Sequence, residues 1–274
     1  MSISTILAIL NVVETAHSVL ETSGLLARRL EGARIDVLHI RAAVDPGFMP
    51  TEEVMSESRE REFQAKEDQR SSDLEAIWSA WQREAEQNTT AVWRVIAGET
   101  KPTIAAESSK VDLVVIGHAA HRHDASADAI QAALFSAKAP VVLVPETVPH
   151  TVGRHIAVAW KPSEAADRAI QAALPILFAA ERVTVLIATE DGIGDATPQA
   201  LTDTPARLPR ELEIHRFSPA SGGIGYALMK EAVLVGADLL VMGAYSHNRL
   251  IESFLGGATR DVLAETALPI FMHH

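Results

Sequence analysis

Glycine and hydroxyl residues that could surround a phosphate group follow an aliphatic run near the end of the chain. They are Gly243, Ser246, Gly256, Gly257 and Thr259, and Met242, His247 and Ala258 beside them belong to the same candidate site. Glycine lets the backbone come close to a ligand, and the free amides at a helix N-terminus attract phosphate oxygens. This segment therefore favours a strand–loop–helix unit that binds phosphate, although the same glycines would also let a strand and a helix pack closely.

The strand that precedes this unit is one of ten short aliphatic runs. The first five are Ile3–Leu10, Ile35–Ile40, Ala91–Ala97, Leu113–Ile116 and Val141–Val144, and the last five are His155–Ala159, Val183–Ala188, Leu212–Phe217, Leu239–Met242 and Pro269–Met272. Runs that are apolar throughout indicate strands buried on both faces, which is typical of a parallel sheet between helices. The sequence therefore predicts an α/β protein with two doubly wound, five-stranded parallel sheets.

The chain contains an internal repeat. Residues 112–121 match residues 238–247 at an offset of 126, with five of the ten positions identical, and residues 6–11 align with 156–161 at an offset of 150. The larger offset near the start of each half indicates an insertion of about 24 residues in the first half. We therefore predict two similar domains, residues 1–149 and 153–274.

The charged stretch Thr51–Gln87 is the expected position of this insertion. Thr51 can cap a helix whose first turn contains two glutamates, a favourable place for anions. Leu74, Ile77, Trp78 and Trp81 form a stripe at helical spacing. The stripe is expected to pack on the sheet, with a ligand lid or a partner contact as the alternative.

The composition excludes several classes of function. The net charge is −12 and there is no cysteine, which disfavours nucleic acid, anionic lipid, disulfides and cysteine zinc sites. No run reaches the roughly 18 apolar residues of a membrane helix, and the start lacks a signal-peptide pattern, so we expect a cytoplasmic protein. The loop with His118, His121, His123 and Asp124 contains side chains that can bind a metal, but a solvated loop is favoured.

The glycine segment resembles the ATP-binding motif of the universal stress protein family, in which G-x2-G-x9-G is followed by Ser or Thr. Gly243 stands at the first glycine, Ser246 at the second and Gly256 at the third, and Gly257 takes the place of the hydroxyl residue. With the internal repeat, the chain is similar over essentially its whole length to the tandem, two-domain form of that family. The resemblance implies that the second domain binds ATP or a related nucleotide, with Mg²⁺, and that Thr259 meets the phosphates.

The resemblance also implies that the nucleoside lies at the ends of the first two strands of the second domain. Family members that bind ATP usually have an aspartate after the first strand, where this chain has Trp160 and Lys161. Lys161 cannot accept the hydrogen bonds of an aspartate, but it can pair with a phosphate. Ala159, Trp160, Lys161 and Ile187 are therefore expected to border the base and the ribose.

The first domain is expected not to bind phosphate. In the alignment, Ala127 falls on Gly256 and Asp128 on Gly257. A carboxylate beside the amides of a helix start would repel a phosphate group. The family resemblance further implies that Leu268–Met272 is the edge strand through which such domains pair, with Val141–Val144 as its counterpart. The halves would then form a pseudo-dimer within one chain, and a homodimer of whole chains fits the same resemblance.

No enzymatic centre is recognisable in the sequence. There is no G-x-S-x-G elbow and no G-x-x-x-x-G-K-(S/T) loop, and no base for ATP hydrolysis stands out. The resemblance therefore implies a stress-response regulator with a nucleotide ligand. The alternative is an interaction or scaffold protein of the same fold that binds no nucleotide and meets protein partners through surfaces such as the helix within Thr51–Gln87.

Overall fold

The structure is a computed structural model that describes residues 2–45, 56–85, 89–118, 123–189, 211–219, 223–244, 262 and 266–274. All ten predicted strands are present. The first half comprises β1 (Thr5–Ile9), α1 (Val13–Arg29), β2 (Arg34–Ala42), α2 (Glu57–Glu84), β3 (Ala91–Gly98), α3 (Thr100–Ser108), β4 (Leu113–Gly117), α4 (His123–Gln131), a π-helical turn (Ala132–Ser136) and β5 (Val141–Val144). Within the described ranges, the helices are all too short or too polar to cross a membrane.

The second half also contributes five strands. It comprises β6 (His155–Ala159), α5 (Glu164–Ala179), β7 (Arg182–Ala188), β8 (Glu211–Phe217), α6 (Ile224–Leu234), β9 (Leu239–Gly243) and β10 (Ile270–His273). Gly223 is the N-cap of α6 and has a φ of 93°, a left-handed conformation that glycine adopts at little cost.

The ten strands form one sheet, in the order β3-β2-β1-β4-β5-β10-β9-β6-β7-β8. Neighbouring strands within each half are parallel, which confirms the doubly wound α/β prediction. β5 and β10 pair in the antiparallel direction, with Val142 opposite Phe271. The predicted edge pairing is therefore confirmed, and it joins the two five-stranded halves into a continuous sheet. The domain boundaries at residues 149 and 153 stay a prediction.

The sheet is buried between two layers of helices. Ile6 and Ala8 face a core that includes side chains of α1, α2 and α5, whereas Leu7 and Ile9 face a core that includes side chains of α3, α4 and α6. This alternation follows from the two-residue period of a strand. Because both faces of the central strands are covered, these strands are mainly apolar, whereas β3 and β8 at the edges of the sheet are partly exposed.

The helix of the insertion packs on the first of these two cores. Leu74, Trp78 and Trp81 are buried, Ile77 is partly buried, and the Trp78 ring stacks on Trp93 of β3 with 6.1 Å between centroids. The predicted packing of this stripe on the sheet is confirmed. The helix begins at Glu57, so the predicted cap at Thr51, which lies outside the described residues, is wrong for this helix.

The N-cap of α2 is Ser56. Its hydroxyl accepts a hydrogen bond from the amide of Arg59 at 3.3 Å, which satisfies one of the free donors in the first turn. Glu57 and Glu60 lie in the same turn, where a negative charge is favourable. The predicted pattern of a cap followed by acidic residues is thus present, but five residues later in the chain.

Two equivalent aspartates fix the start of the first strand in each half. Asp112, which precedes β4, accepts hydrogen bonds from the amides and hydroxyls of Ser4 and Thr5 at 2.9 to 3.0 Å. Asp238, which precedes β9, accepts bonds from the amides of Arg154 and His155 at 3.1 Å. The repeated aspartate of the sequence motif therefore has a structural role in both halves.

Candidate functional site

The structure brings six of the predicted site residues together. Ala159 pairs with Met242 on one side and with Leu186 on the other, so the carboxyl ends of β9, β6 and β7 are adjacent. Ala159, Trp160, Lys161, Ile187, Met242 and Gly243 all lie at these ends. The strand order reverses between β6 and β9, and such a reversal is where doubly wound sheets commonly bind ligands.

These six residues differ in how much of each reaches the surface. Lys161 is exposed, and Ala159 and Gly243 are partly exposed. Trp160, Ile187 and Met242 are buried in the two cores. The Trp160 ring is held inward, and its Nε1 lies 3.5 Å from Oδ1 of Asp167. The surface of this edge is thus formed mainly by backbone and by the Lys161 side chain.

Gly243 has a packing role that the structure makes explicit. A Cβ on this residue would lie 2.6 Å from the carbonyl carbon of Ala165 and 2.8 Å from the amide nitrogen of Ala166, in the first turn of α5. Distances under 3.0 Å are not seen for real Cβ contacts, and here the obstacle is backbone. The end of β9 therefore needs a glycine to approach α5, whether or not a ligand is bound.

The N-terminus of α5 is not built to receive a phosphate. The Ser163 hydroxyl already accepts a hydrogen bond from the Ala166 amide at 3.3 Å. Glu164 and Asp167 lie in the first turn, and their negative charges would repel an anion. The structure therefore does not favour a phosphate at the start of α5. The predicted residues of that segment, Ser246, His247, Gly256, Gly257, Ala258 and Thr259, lie outside the described residues.

In the first half, the insertion helix covers the corresponding strand ends. Arg70 of α2 donates from Nη1 to the carbonyl oxygen of Asn11 at 2.8 Å and from Nη2 to that of Ile40 at 3.0 Å. Its guanidinium also lies 2.5 Å from Glu67, whose carboxylate accepts a bond from the Ala42 amide at 3.0 Å. Arg70 and Glu67 are therefore bonded to the backbone at the ends of β1 and β2.

His39 completes this polar cluster. The strand pairings place His39 at the position that Ile187 has in the second half. Its Nδ1 lies 3.1 Å from the Leu10 carbonyl oxygen and its Nε2 lies 2.9 Å from the Ser71 hydroxyl of α2. Burial, and next the positive charge of Arg70, lower the pKa of His39 below its usual value. Both ring nitrogens are thus hydrogen-bonded within the chain itself.

Sequence reasoning missed Arg70, Glu67 and His39. Nothing in the spacing of α2 distinguishes Arg70 from the other charged residues of that helix, because its partners are backbone atoms about thirty to sixty residues earlier. The histidine within the second aliphatic run was the available signal, since a buried imidazole requires hydrogen-bond partners.

The predicted position of Asp128 is wrong. Asp128 lies within α4, at least five residues after its first residue, and pairs with Lys101 of α3 at 2.9 Å. Its carboxylate is therefore not beside the first-turn amides, and it is neutralised by a lysine. The contacts of Arg70 and His39 provide a different reason to expect no ligand at this half.

The histidine-rich loop is described only in part. His118 is 7% exposed, and its amide donates to the Val144 carbonyl oxygen at 2.7 Å, so the predicted solvated loop is wrong at this residue. His121 and the side chains of His123 and Asp124 lie outside what the structure describes. Among the described side chains, no group of three or more potential metal ligands is found.

Solved structures of two other proteins resemble the whole chain. One is a universal stress protein from Archaeoglobus fulgidus DSM 4304, with a TM-score of 0.72, 18% identity, and coverage of 98% of this chain and 95% of that chain. The chain has the universal stress protein fold. The other is a functionally unknown protein from Pseudomonas aeruginosa PAO1, with a TM-score of 0.61, 14% identity, and coverage of 99% of this chain and 92% of that chain.

The predicted architecture is thereby confirmed at the level of the fold. The universal stress protein from Archaeoglobus fulgidus matches over both halves together, as expected for a tandem arrangement of 274 residues. Comparisons with sequence-family models and with curated protein sequences found no match. The likeness therefore lies in the backbone, at sequence identities below one fifth.

Proposed function

We propose that the protein is a cytoplasmic stress-response regulator whose second half binds ATP or a related nucleotide, together with Mg²⁺. The observation that carries the proposal is the meeting of Ala159, Lys161 and Gly243 where the strand order reverses, next to the start of the G-x2-G-x9-G pattern. A glycine-rich segment that leads from a strand into a helix suits phosphate oxygens, because its amides are free to donate.

The phosphates are assigned to the segment after β9. Gly243, Ser246, Gly256, Gly257 and Thr259 would surround them, and Lys161 would add a positive charge from the end of β6. The base and ribose would lie over the ends of β6 and β7. Because Trp160 and Ile187 are buried, they would lie beneath the nucleoside. The backbone of Ala159, which is partly exposed, would be the nearer contact.

The first half is assigned no nucleotide. Arg70 and Ser71 already contact Asn11 and His39, at the positions that correspond to Lys161 and Ile187. A nucleoside there would have to break hydrogen bonds to buried groups, and each group left without a partner costs about 1–3 kcal/mol. One nucleotide per chain is therefore expected. It would act as a regulatory ligand, by favouring one conformation or one partner, and not as a substrate for rapid turnover.

A matched pair of variants tests this assignment. Gly256→Leu places a side chain where the phosphates are expected, whereas Ala127→Leu makes a similar change at the aligned position of the first half. ATP affinity, measured by calorimetry, should fall by about tenfold or more in Gly256→Leu and stay unchanged in Ala127→Leu. An unchanged affinity in Gly256→Leu, with circular dichroism that matches the wild type, would show that the assigned segment does not bind the phosphates.

The second candidate function is an interaction protein that binds no nucleotide. The observation in its favour is α2, whose residues 57–66 include no buried side chain although the rest of the helix packs on the core. Lys161 and the packing role of Gly243 fit this alternative equally well. A wild-type chain that binds no ATP, and carries no nucleotide through purification, would favour it.

A further inference from the structure

A cavity of about 390 Å³ lies where the C-terminal ends of α1 and α5 meet the segment between β5 and β6. Its polar lining comes from Arg28, Arg29, Thr151 and Arg154, and its apolar lining includes Leu25 and Val152. The volume is within the range of small-molecule sites. The cavity is bordered by both halves of the chain and shares no lining residue with the candidate nucleotide site.

The cavity is positively charged within an acidic protein. Three of its side chains are guanidinium groups, whereas the whole chain has a net charge of −12. The Glu181 carboxylate balances the positive charge of Arg154 and accepts two hydrogen bonds of 2.9 Å from its guanidinium. Among the residues that the structure describes, no carboxylate forms an ion pair with Arg28 or Arg29. The Glu181 charge also acts on Arg29, although the two side chains do not form a direct ion pair.

Arg29 is held in place by neutral partners. Its Nε donates to the Val152 carbonyl oxygen at 3.1 Å, and its Nη1 donates to the Ala179 carbonyl oxygen at 2.8 Å. These bonds use two of the five N–H groups of a guanidinium and leave its charge intact. The side chain also lies over Gly153, whose φ is 73°. A donor fixed in advance binds an anion with little loss of side-chain entropy.

Several carbonyl groups at the helix ends around the cavity already accept hydrogen bonds. A helix C-terminus is partly negative because its last carbonyl groups lack partners. In α1, the amides of Leu30 and Gly32 donate to carbonyl oxygens of the last turn at 2.9 Å. In α5, the Ala179 carbonyl is bonded to Arg29. These carbonyl groups are therefore already hydrogen-bonded within the chain.

We propose that this cavity binds a small oxyanion, a phosphate or carboxylate group on a molecule whose remainder lies on Leu25 and Val152. Arg28 and Arg29 belong to α1 of the first half, and Thr151 and Arg154 belong to the segment that leads into the second half. An anion bonded to both sets joins the two halves at this point. The site is separate from the proposed nucleotide site and does not depend on it.

Calorimetric titration of the whole chain with inorganic phosphate, pyrophosphate and citrate in low salt tests the proposal. Saturable binding of at least one probe is expected, weaker at high salt. Arg28→Gln should weaken it roughly tenfold and Thr151→Val roughly threefold. Arg61→Gln, which removes the same charge from an exposed position on α2, should leave it unchanged. Pyrophosphate and citrate distinguish a phosphate from a carboxylate ligand.

Binding of none of the three probes, or equal affinity in wild type and Arg28→Gln, would overturn the proposal. Pyrophosphate is also titrated into Gly256→Leu, because it could enter the proposed nucleotide site as well. Pyrophosphate binding that is retained in Gly256→Leu supports the proposed anion site in the cavity. ATP binding that is lost in Arg28→Gln but kept in Gly256→Leu would support an anion site in the cavity and contradict the nucleotide assignment. The two proposals can therefore fail separately.

Discussion

Gly243 lies against Ala165, so close that a Cβ on the glycine would stand 2.6 Å from the alanine carbonyl carbon. The first half repeats this contact, because a Cβ on Gly117 would overlap the side chain of Thr15. Thr15 and Ala165 are 150 positions apart, the offset that also relates β1 to β6. A glycine at the end of the fourth strand is therefore required by strand–helix packing in both halves.

Gly243→Ala should destabilise the protein. The new Cβ meets backbone atoms of α5 that cannot rotate away, and overpacking of this kind costs about 1–3 kcal/mol of the free energy of unfolding. Urea denaturation measures the loss. Gly98→Ala is the control, since its nearest contact is the Thr103 hydroxyl at 3.3 Å, and a change within about 0.5 kcal/mol is expected there. Equal losses in the two variants would contradict the packing role.

Arg70→Met should lower the free energy of unfolding by about 2–4 kcal/mol, because it leaves Glu67 unpaired and removes donors from two carbonyl groups. Arg61→Met, on the exposed side of the same helix, should change it by less than about 0.5 kcal/mol. Chemical denaturation of both variants makes the comparison. If Arg70→Met is as stable as Arg61→Met, Arg70 does not hold α2 to the strand ends.

Asp112→Asn should weaken the start of β1. Burial raises the pKa of Asp112, but the hydrogen bonds from Ser4 and Thr5 together outweigh it and lower the pKa below its usual value. The resulting stability is present above about pH 4 and is lost as pH falls through the lowered folded-state pKa. At pH 7 the variant should lose about 1–3 kcal/mol.

The difference between wild type and Asp112→Asn should therefore shrink in acid, which denaturation at pH 7 and pH 3 measures. Asp238→Asn provides the internal comparison, because Asp238 accepts bonds from two amides without hydroxyl donors. At pH 7, Asp238→Asn should lower the free energy of unfolding by less than Asp112→Asn does. A constant difference from pH 7 to pH 3 would show that the Asp112 charge does not contribute.

His39 should make stability depend on pH. Its pKa in the folded protein is lowered by burial and by Arg70, so the unfolded chain binds a proton first as pH falls. The contribution of His39 to the free energy of unfolding is fully present above the unfolded-state pKa of about 6.5. It is lost as pH falls toward the lower pKa of the folded state. His155 and His273 have lowered pKa values for the same main reason, burial, and add to the trend.

His39→Gln separates this contribution from the others. The glutamine can donate and accept but does not titrate, so the loss of unfolding free energy between pH 7.5 and pH 5 should be smaller in the variant than in the wild type. Urea denaturation at the two values gives both slopes. An identical slope in the variant would mean that His39 is not held neutral by its surroundings.

The sequence predicts the central strands well because each is a mainly apolar run that is buried on both faces, whereas the edge strands β3 and β8 are partly exposed. The packing of Trp78 and Trp81 is predicted for a similar reason, since the helical period places them on one face. The pairing of β5 with β10 followed from the family resemblance and not from the residues themselves. Local patterns and a shared fold thus account for the architecture.

The contacts of individual polar side chains were not predictable in the same way. Asp128 was misplaced because an alignment fixes a position in the chain, whereas its neighbours depend on where α4 begins. The partners of Arg70 are backbone carbonyls, which carry no side-chain pattern that the sequence could show. The expected place of Trp160 beside a ligand stays a prediction, and its ring is buried.

The number of ATP molecules bound by one chain tests the proposed function most directly. The wild-type protein is first unfolded and refolded to remove nucleotide carried through purification, and is then titrated with ATP and Mg²⁺ in a calorimeter. The proposal predicts saturable binding at one site per chain, in the second half. No binding would contradict the nucleotide role, and two sites would contradict the assignment of Arg70 and His39 to a closed first half.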